Sequence, residues 1–188
     1  MVPIIYVNAC GMQNNGKNVL VFDGDSTIYR KDGTVLASCK DDFKEDCQVF
    51  DLNLSYPSHE TSNKLLNSLI CAIYEFDKQV LPFKPKWIIG LSGGIDSSVN
   101  AALLCLALGN DRVIGYNMAS RYNQAQTKNI AYETAQKLNI EYYARSIEQR
   151  VQATEKTLIE YQSDPKEGLA YENIQARLRG HLLSSFAS

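Results

Sequence analysis

The chain has 188 residues, 45% of them hydrophobic and 21% charged, with a formal net charge of −2. That length allows one full domain or two small ones, each with a core. The near-neutral, mildly acidic balance supplies no basic footprint for nucleic acid, and no apolar run approaches the length of a membrane span.

The N-terminal Met1-Val2-Pro3-Ile4-Ile5-Tyr6 lacks the charged region and apolar core of a signal peptide. The cysteines are Cys10, Cys39, Cys47, Cys71 and Cys105. Their number is odd and no C-x-x-C pair occurs, so a disulfide framework or zinc site is not expected and a cytoplasmic, reducing setting fits best. His59 and His181 have no local metal-ligand pattern and read as structural or surface residues.

Up to about Leu54 the pattern is β. Ile4 to Asn8 reads as a strand, Asn14 to Asn18 as a turn cluster, and Val19 to Phe22 as a second strand. Ser26 to Arg30 is expected to pair with Val35 to Ser38 across Lys31-Asp32-Gly33-Thr34, where Asp-Gly is a strong hairpin signal. Cys47 to Leu54 alternates polar and apolar residues as a half-buried strand would. So few strands, with no helix to cover them, are marginal alone and read as the tail of a larger domain. Cys10, in a strand exit, has no identifiable base or cation to activate it.

Tyr56 to Thr61 is a linker in which Ser58 and Thr61 offer capping oxygens. Leu65, Leu66, Leu69, Ile70, Ile73 and Tyr74 recur at helical spacing, and Pro82 and Pro85 close the helix. It is expected to pack on the domain that follows. That domain begins near Lys86 and alternates strand and helix. The strands are Trp87 to Leu91, Arg112 to Asn117 and Ile140 to Ala144. The helices run from the Asp96 region to Leu108, from Thr127 to Leu138, from Ile147 to about Tyr161, and from Leu169 to Phe186. The alternation predicts a Rossmann-like α/β fold, a parallel sheet with flanking helices. Ligands of such sheets bind beyond the C-terminal ends of the strands.

One stretch there carries chemistry. Ser92-Gly93-Gly94-Ile95-Asp96-Ser97-Ser98 follows a buried strand and opens a helix. Glycine permits positive φ and close approach of backbone to a ligand, and the unpaired N–H groups of a helix start attract phosphate. A Walker A loop would place a Lys after its last glycine; Ile95 and the acid Asp96 follow instead. An acid beside a phosphate cradle calls for a cation between them, and Mg²⁺ prefers oxygen ligands shared with phosphate. Ser120 and Arg121 lie beyond the second strand, at the same end of the sheet, and the Arg121 fork suits phosphate oxygens. On the last helix Asn173 and Arg177 share one face, and Gln175 and Arg179 another.

Ser-Gly-Gly-Ile-Asp-Ser resembles the pyrophosphate loop of the ATP pyrophosphatases. Followed by Ser-Arg-Tyr and Glu-Asn-Ile-Gln-Ala-Arg, it resembles the NAD⁺ synthetases within that superfamily, and Asn-Ile-Gln-Ala-Arg separates these from GMP and asparagine synthetases. Tyr6-Val7-Asn8, Val19 to Ser26 and Lys31-Asp32-Gly33 resemble the late strands of a nitrilase-like amidase, which matches the glutamine-dependent, two-domain form. The resemblance divides the chain into an amidase remnant (1–55), a linker and helix (56–85) and the first part of a synthetase domain (86–188).

The resemblance implies a carbon–nitrogen ligase that adenylates deamido-NAD⁺ with ATP and releases pyrophosphate. It then completes NAD⁺ with ammonia drawn from glutamine. Ser92, Gly93, Gly94, Ile95, Asp96, Ser97 and Ser98 would hold the ATP phosphates, with Asp96 on Mg²⁺. Ser120 and Arg121 would place ATP, and Asn173 and Arg177 would meet deamido-NAD⁺. The partners implied are small molecules, with neither nucleic acid nor membrane, and a homo-oligomer for the full-length enzyme. The family's amidase triad and its downstream Thr and second Mg²⁺-binding Glu are missing from the chain, so a piece with little synthetase activity of its own is expected. The competing readings are another ATP pyrophosphatase and a non-catalytic nucleotide-binding module.

Overall fold

In the first of two compact units (Met1–Lys84 and Pro85–Ser188), Asp32 and Gly33 turn the chain back on itself. The Asp32 carboxylate accepts bonds from the Thr34 N–H at 3.0 Å and the Thr34 hydroxyl at 2.7 Å. Gly33 takes φ +88°, a value open to glycine at no steric cost. The turn joins Thr27–Tyr29 (β4) to Val35–Ser38 (β5), and β4 also pairs antiparallel with Ile4–Tyr6 (β1). A computed structural model describes residues 2–40, 42–57, 63–121, 125–161 and 169–187. Ser58, His59, Thr61, Tyr122, Asn123 and the loop expected at 164–168 lie outside them.

Two expectations for this unit change. Cys10, expected in a strand exit, instead opens the strand Cys10–Asn14 (β2), which forms a hairpin with Val19–Asp23 (β3). Cys47 to Leu54 is not a strand. Asp51 instead organises a local turn: its carboxylate accepts from the Asn53 N–H at 2.9 Å, its carbonyl from the Leu54 N–H at 3.2 Å, and its own N–H donates to the Tyr56 hydroxyl at 2.7 Å. Side-chain bonds of this kind compete with a strand ladder. The helix Lys64–Val80 (α1) packs on β2 and β3 of its own unit. Lys64 forms an ion pair with Asp23.

In the second unit Trp87–Gly90 (β6), Val113–Ala119 (β7) and Glu141–Ser146 (β8) form a parallel sheet with β7 in the middle. On one side of the sheet lie Ile95–Leu108 (α2) and Ala125–Lys137 (α3). Their Ala101, Ala131 and Ala135 pack with Leu91, Val113 and Ile140 in one core cluster. Glu148–Glu160 (α4) and Leu169–Phe186 (α5) bring Val151 and Tyr171 to a second cluster around Met118 and Ile147. Helix α3 ends where Asn139 takes φ +51°. The Ile140 N–H then bonds back to the Ala135 carbonyl at 3.1 Å, the closure that a left-handed residue allows. Strand β7 runs two residues beyond the expected Asn117, so Met118 and Ala119 belong to the sheet. Among the described residues no helix is long and apolar enough to cross a membrane.

Candidate functional site

The C-terminal end of the parallel sheet is where the sequence motifs meet. Leu91 is the last residue tied to the sheet: its N–H donates to the Tyr116 carbonyl at 2.8 Å, and its side chain is 1% exposed. Full burial of a leucine is worth about 2 kcal/mol, which fixes the root of the loop. Buried Asn117 adds a bond from its Nδ2 to the Leu91 carbonyl at 2.8 Å.

From that anchor the chain turns sharply. Gly93 has φ +86°, and Gly94, at the cap position of α2, is extended at φ −86° and ψ 160°. No side chain caps this helix start. The serines bind one another and the turn instead. Ser92 N–H donates to Ser97 Oγ at 3.3 Å, the two hydroxyls lie 3.2 Å apart, and Gly94 N–H donates to Ser92 Oγ at 3.2 Å. Ser97 and Ser98 hydroxyls both donate to the Gly94 carbonyl at 3.0 Å. The orphan amides of the first turn are thereby left to solvent or a ligand. Gly94, Ile95 and Asp96 are exposed and Gly93 half-buried, so the turn is open.

Ser120 and Arg121 extend from the end of β7, but neither side chain is aimed at this turn. Ser120 is buried and donates to Gln175 Oε1 at 2.7 Å. Arg121 reaches α4 and α5: its guanidinium lies 3.2 Å from Glu148 and 2.9 Å from Glu155, and donates to the Tyr171 hydroxyl at 3.2 Å. Its N–H donates to Glu148 Oε2 at 2.8 Å. That backbone bond, first among the causes, holds the Glu148 carboxyl below its ordinary range. Asn173 and Arg177 share a face of α5 as their spacing requires, and both are exposed.

Helix α5 also closes a hollow of about 390 Å³ against the ends of β6 and β7. Ala176, Arg179, Gly180 and Leu183 form its α5 wall; Gly90, Leu91, Ser92, Tyr116, Asn117 and Met118 form the rest. Arg179 Nε donates to the Met118 carbonyl at 3.1 Å and a guanidinium nitrogen to Gln175 Oε1 at 3.3 Å. Burial lowers the Arg179 pKa from its ordinary value. Sequence reasoning missed Asn117 and this role of Gln175 and Arg179. The i, i+4 spacing of the latter pair was the signal available.

Elsewhere, His181 is exposed and all five cysteines are free. Burial pushes the Cys39, Cys71 and Cys105 thiols up, away from thiolate chemistry. Among the described residues no three His, Cys, Asp or Glu side chains gather as a metal cluster.

Known proteins resemble this chain in sequence and fold. The family model described as NAD synthase matches residues 75–188. The chain is 34% identical to the glutamine-dependent NAD(+) synthetase of Synechocystis sp. over 197 aligned residues, spanning 100% of this chain and 34% of that protein. An NH(3)-dependent NAD(+) synthetase of Pyrobaculum aerophilum is also 34% identical, over 54% of this chain. Among solved structures, a glutamine-dependent NAD+ synthetase from Acinetobacter baumannii in complex with ADP superposes with a TM-score of 0.83 at 30% identity. It covers 98% of this chain and 35% of that one. NMN synthetase from Francisella tularensis matches 65% of the chain with a TM-score of 0.52 and 30% identity. The chain thus spans about a third of the length of the glutamine-dependent relatives. With its family match covering the sheet, the serine–glycine turn and α5, this chain belongs to the NAD synthase family.

Proposed function

We propose that this chain carries the nucleotide-binding part of an ATP-dependent amide ligase that makes NAD⁺ from deamido-NAD⁺, with ammonia from glutamine. The observation that carries the reading is the uncapped start of α2, opened by Gly93 at φ +86° and facing solvent. Amides of Ile95, Asp96 and Ser97 there can receive phosphate oxygens, as helix starts do. The likeness to the glutamine-dependent NAD(+) synthetase of Synechocystis and the ADP in the Acinetobacter structure support an adenine nucleotide.

Asp96 is exposed in the same first turn. A single carboxylate beside a phosphate cradle fits Mg²⁺, which takes one or two carboxylates and completes its shell with phosphate and water. When bound, the ion would neutralise charge building on the phosphates. Protein nucleophiles are not required. The chain's own work is to orient the triphosphate through peptide amides and to hold it still by the serine bonds that fix the turn. Asn173 and Arg177, on the open face of α5, are proposed to meet deamido-NAD⁺. Ser120 and Arg121 act on ATP through the placing of α4 and α5. Residues 1–55 are read as part of a nitrilase-like amidase domain, and the full-length enzyme as a cytoplasmic homo-oligomer.

The test is calorimetric titration of the chain with MgATP and with pyrophosphate, repeated on Gly93→Ala. Binding of both by the wild type, weakened in the variant, is the expected result. A wild-type chain that binds neither would overturn the reading.

A further inference from the structure

The chain contains one Asn-Gly pair, Asn15-Gly16. It lies in the loop that joins Asn14 of β2 to its partner Val19 of β3, and Asn14 to Asn18 are all exposed. Asn-Gly is a common hairpin pair, so its presence alone says little. The bonding of the Asn15 side chain says more. Its Oδ1 accepts from the Lys17 N–H at 3.0 Å and from the Asn18 N–H at 2.7 Å. The Asn15 N–H donates to the Asn18 carbonyl at 3.2 Å. These bonds fold the amide of Asn15 back over the chain that follows it. Gly16, next in line, takes φ +82°, and a Cβ built there meets no atom within 4 Å. Its main-chain nitrogen carries no neighbouring Cβ to hinder approach to the side chain before it.

Two main-chain N–H groups on one carbonyl oxygen stabilise the negative charge that builds there when a nucleophile adds to the carbonyl carbon. We infer that this loop is a self-modification site, at which the Gly16 nitrogen displaces the side-chain amide of Asn15 while Lys17 and Asn18 N–H hold the oxygen. Gly16 N gives up its proton to hydroxide and forms a bond to Asn15 Cγ. The bond from Cγ to the side-chain nitrogen breaks, and ammonia leaves with a proton returned by water. The product is a cyclic imide. Water then opens either carbon–nitrogen bond of the ring, leaving Asp or a β-linked Asp and adding one negative charge to the net −2 of the chain. One contact opposes the reaction: Gly16 N–H donates to Asn14 Oδ1 at 2.8 Å, which retains the proton that must leave. That is one bond against two on the oxygen where charge accumulates, so the folded loop speeds the reaction. A β-link adds a methylene to the main chain beside the Asn14–Val19 pair, where the hairpin register is set.

The experiment ages the 188-residue chain in neutral buffer, folded and unfolded in urea, and follows Asn15 by peptide mapping with mass spectrometry. Enzymatic methylation of β-linked Asp reads the second product. Folded chain should convert Asn15 at least about fivefold faster than unfolded chain, the factor one net hydrogen bond supplies. Lys17→Pro removes one of the two donors. Its folded-to-unfolded rate ratio should fall by about fivefold, the same factor. Asn15 that stays intact in the folded chain, or converts no faster there than in urea, overturns the inference. So does an unchanged ratio in Lys17→Pro with wild-type circular dichroism. If that variant does not fold, the wild-type ratio decides alone.

Discussion

Ser120 Oγ donates to Gln175 Oε1 at 2.7 Å, and both side chains are buried. The bond joins the end of β7 to the middle of α5. The same amide oxygen accepts from Arg179 at 3.3 Å, and Arg179 bonds the Met118 carbonyl. Two bonds thus pin one face of α5 to the end of β7, and the third couples Gln175 to Arg179 within the helix. Replacing Gln175 by Ala should cost about 1–3 kcal/mol, since two donors in a sheltered site lose an acceptor. Urea unfolding checks this. MgATP affinity should fall with it, because the same helix walls the hollow.

Gly115 offers a sharper test of how the core shapes the turn. A Cβ there would sit 2.6 Å from Leu91 Cδ1, 3.3 Å from Leu91 Cγ and 3.4 Å from Ile140 Cδ1. Overfilling a tight core costs about 1–3 kcal/mol. Leu91 directly precedes Ser92, so its displacement should also disturb phosphate binding. Gly115→Ala is expected to lower the melting temperature and weaken tripolyphosphate together. Lost stability with unaltered anion affinity would show that the turn is insulated from the core.

Asp96→Asn separates metal from phosphate. Affinity for ATP with Mg²⁺ should drop by at least about tenfold, a scale already reached when only outer-shell partners of a metal are lost. Tripolyphosphate binding without metal should hold or strengthen, because the negative charge beside the cradle is gone. Titration with and without Mg²⁺ gives both numbers.

Acid should loosen the joint at Arg121. Glu148 has a carboxyl pKa lowered from 4.5, chiefly by the backbone N–H of Arg121. A depressed folded-state value contributes stability above the unfolded-state value and loses it as pH falls through the folded one. The melting temperature should therefore fall as pH drops below about 4.5, and Glu148→Gln should flatten that decline. Scanning calorimetry across pH 3 to 7, roughly the carboxylate range, reads the difference.

Much of the second unit was legible because its signals are local. The apolar run at Trp87 to Leu91, the glycines after it and the serines opening the next helix each have a backbone consequence that needs no distant partner. The Asp32-Gly33 hairpin was legible for the same reason. Cys47 to Leu54 misled because alternation marks a strand only where another strand is present to pair with it, whereas Asp51 bonds its own neighbours. Cys10 to Asn14 was missed for the converse reason: Gly11 and polar Gln13 and Asn14 are poor strand formers, and pairing with Val19 to Asp23 overrides them. At the site, motif spacing located Ser120 and Arg121 but not their direction. Contacts with Gln175 on α5 and with Glu148 and Glu155 on α4 set that, and these arise only once the chain has folded.

The serine hydrogen bonds of the Ser92 to Ser98 turn have a kinetic corollary. Because hydroxyls already brace the bend, an arriving anion does not have to organise it first. Capture should then be a single second-order encounter, its observed rate rising linearly with ligand concentration and showing no plateau from a slow ordering step.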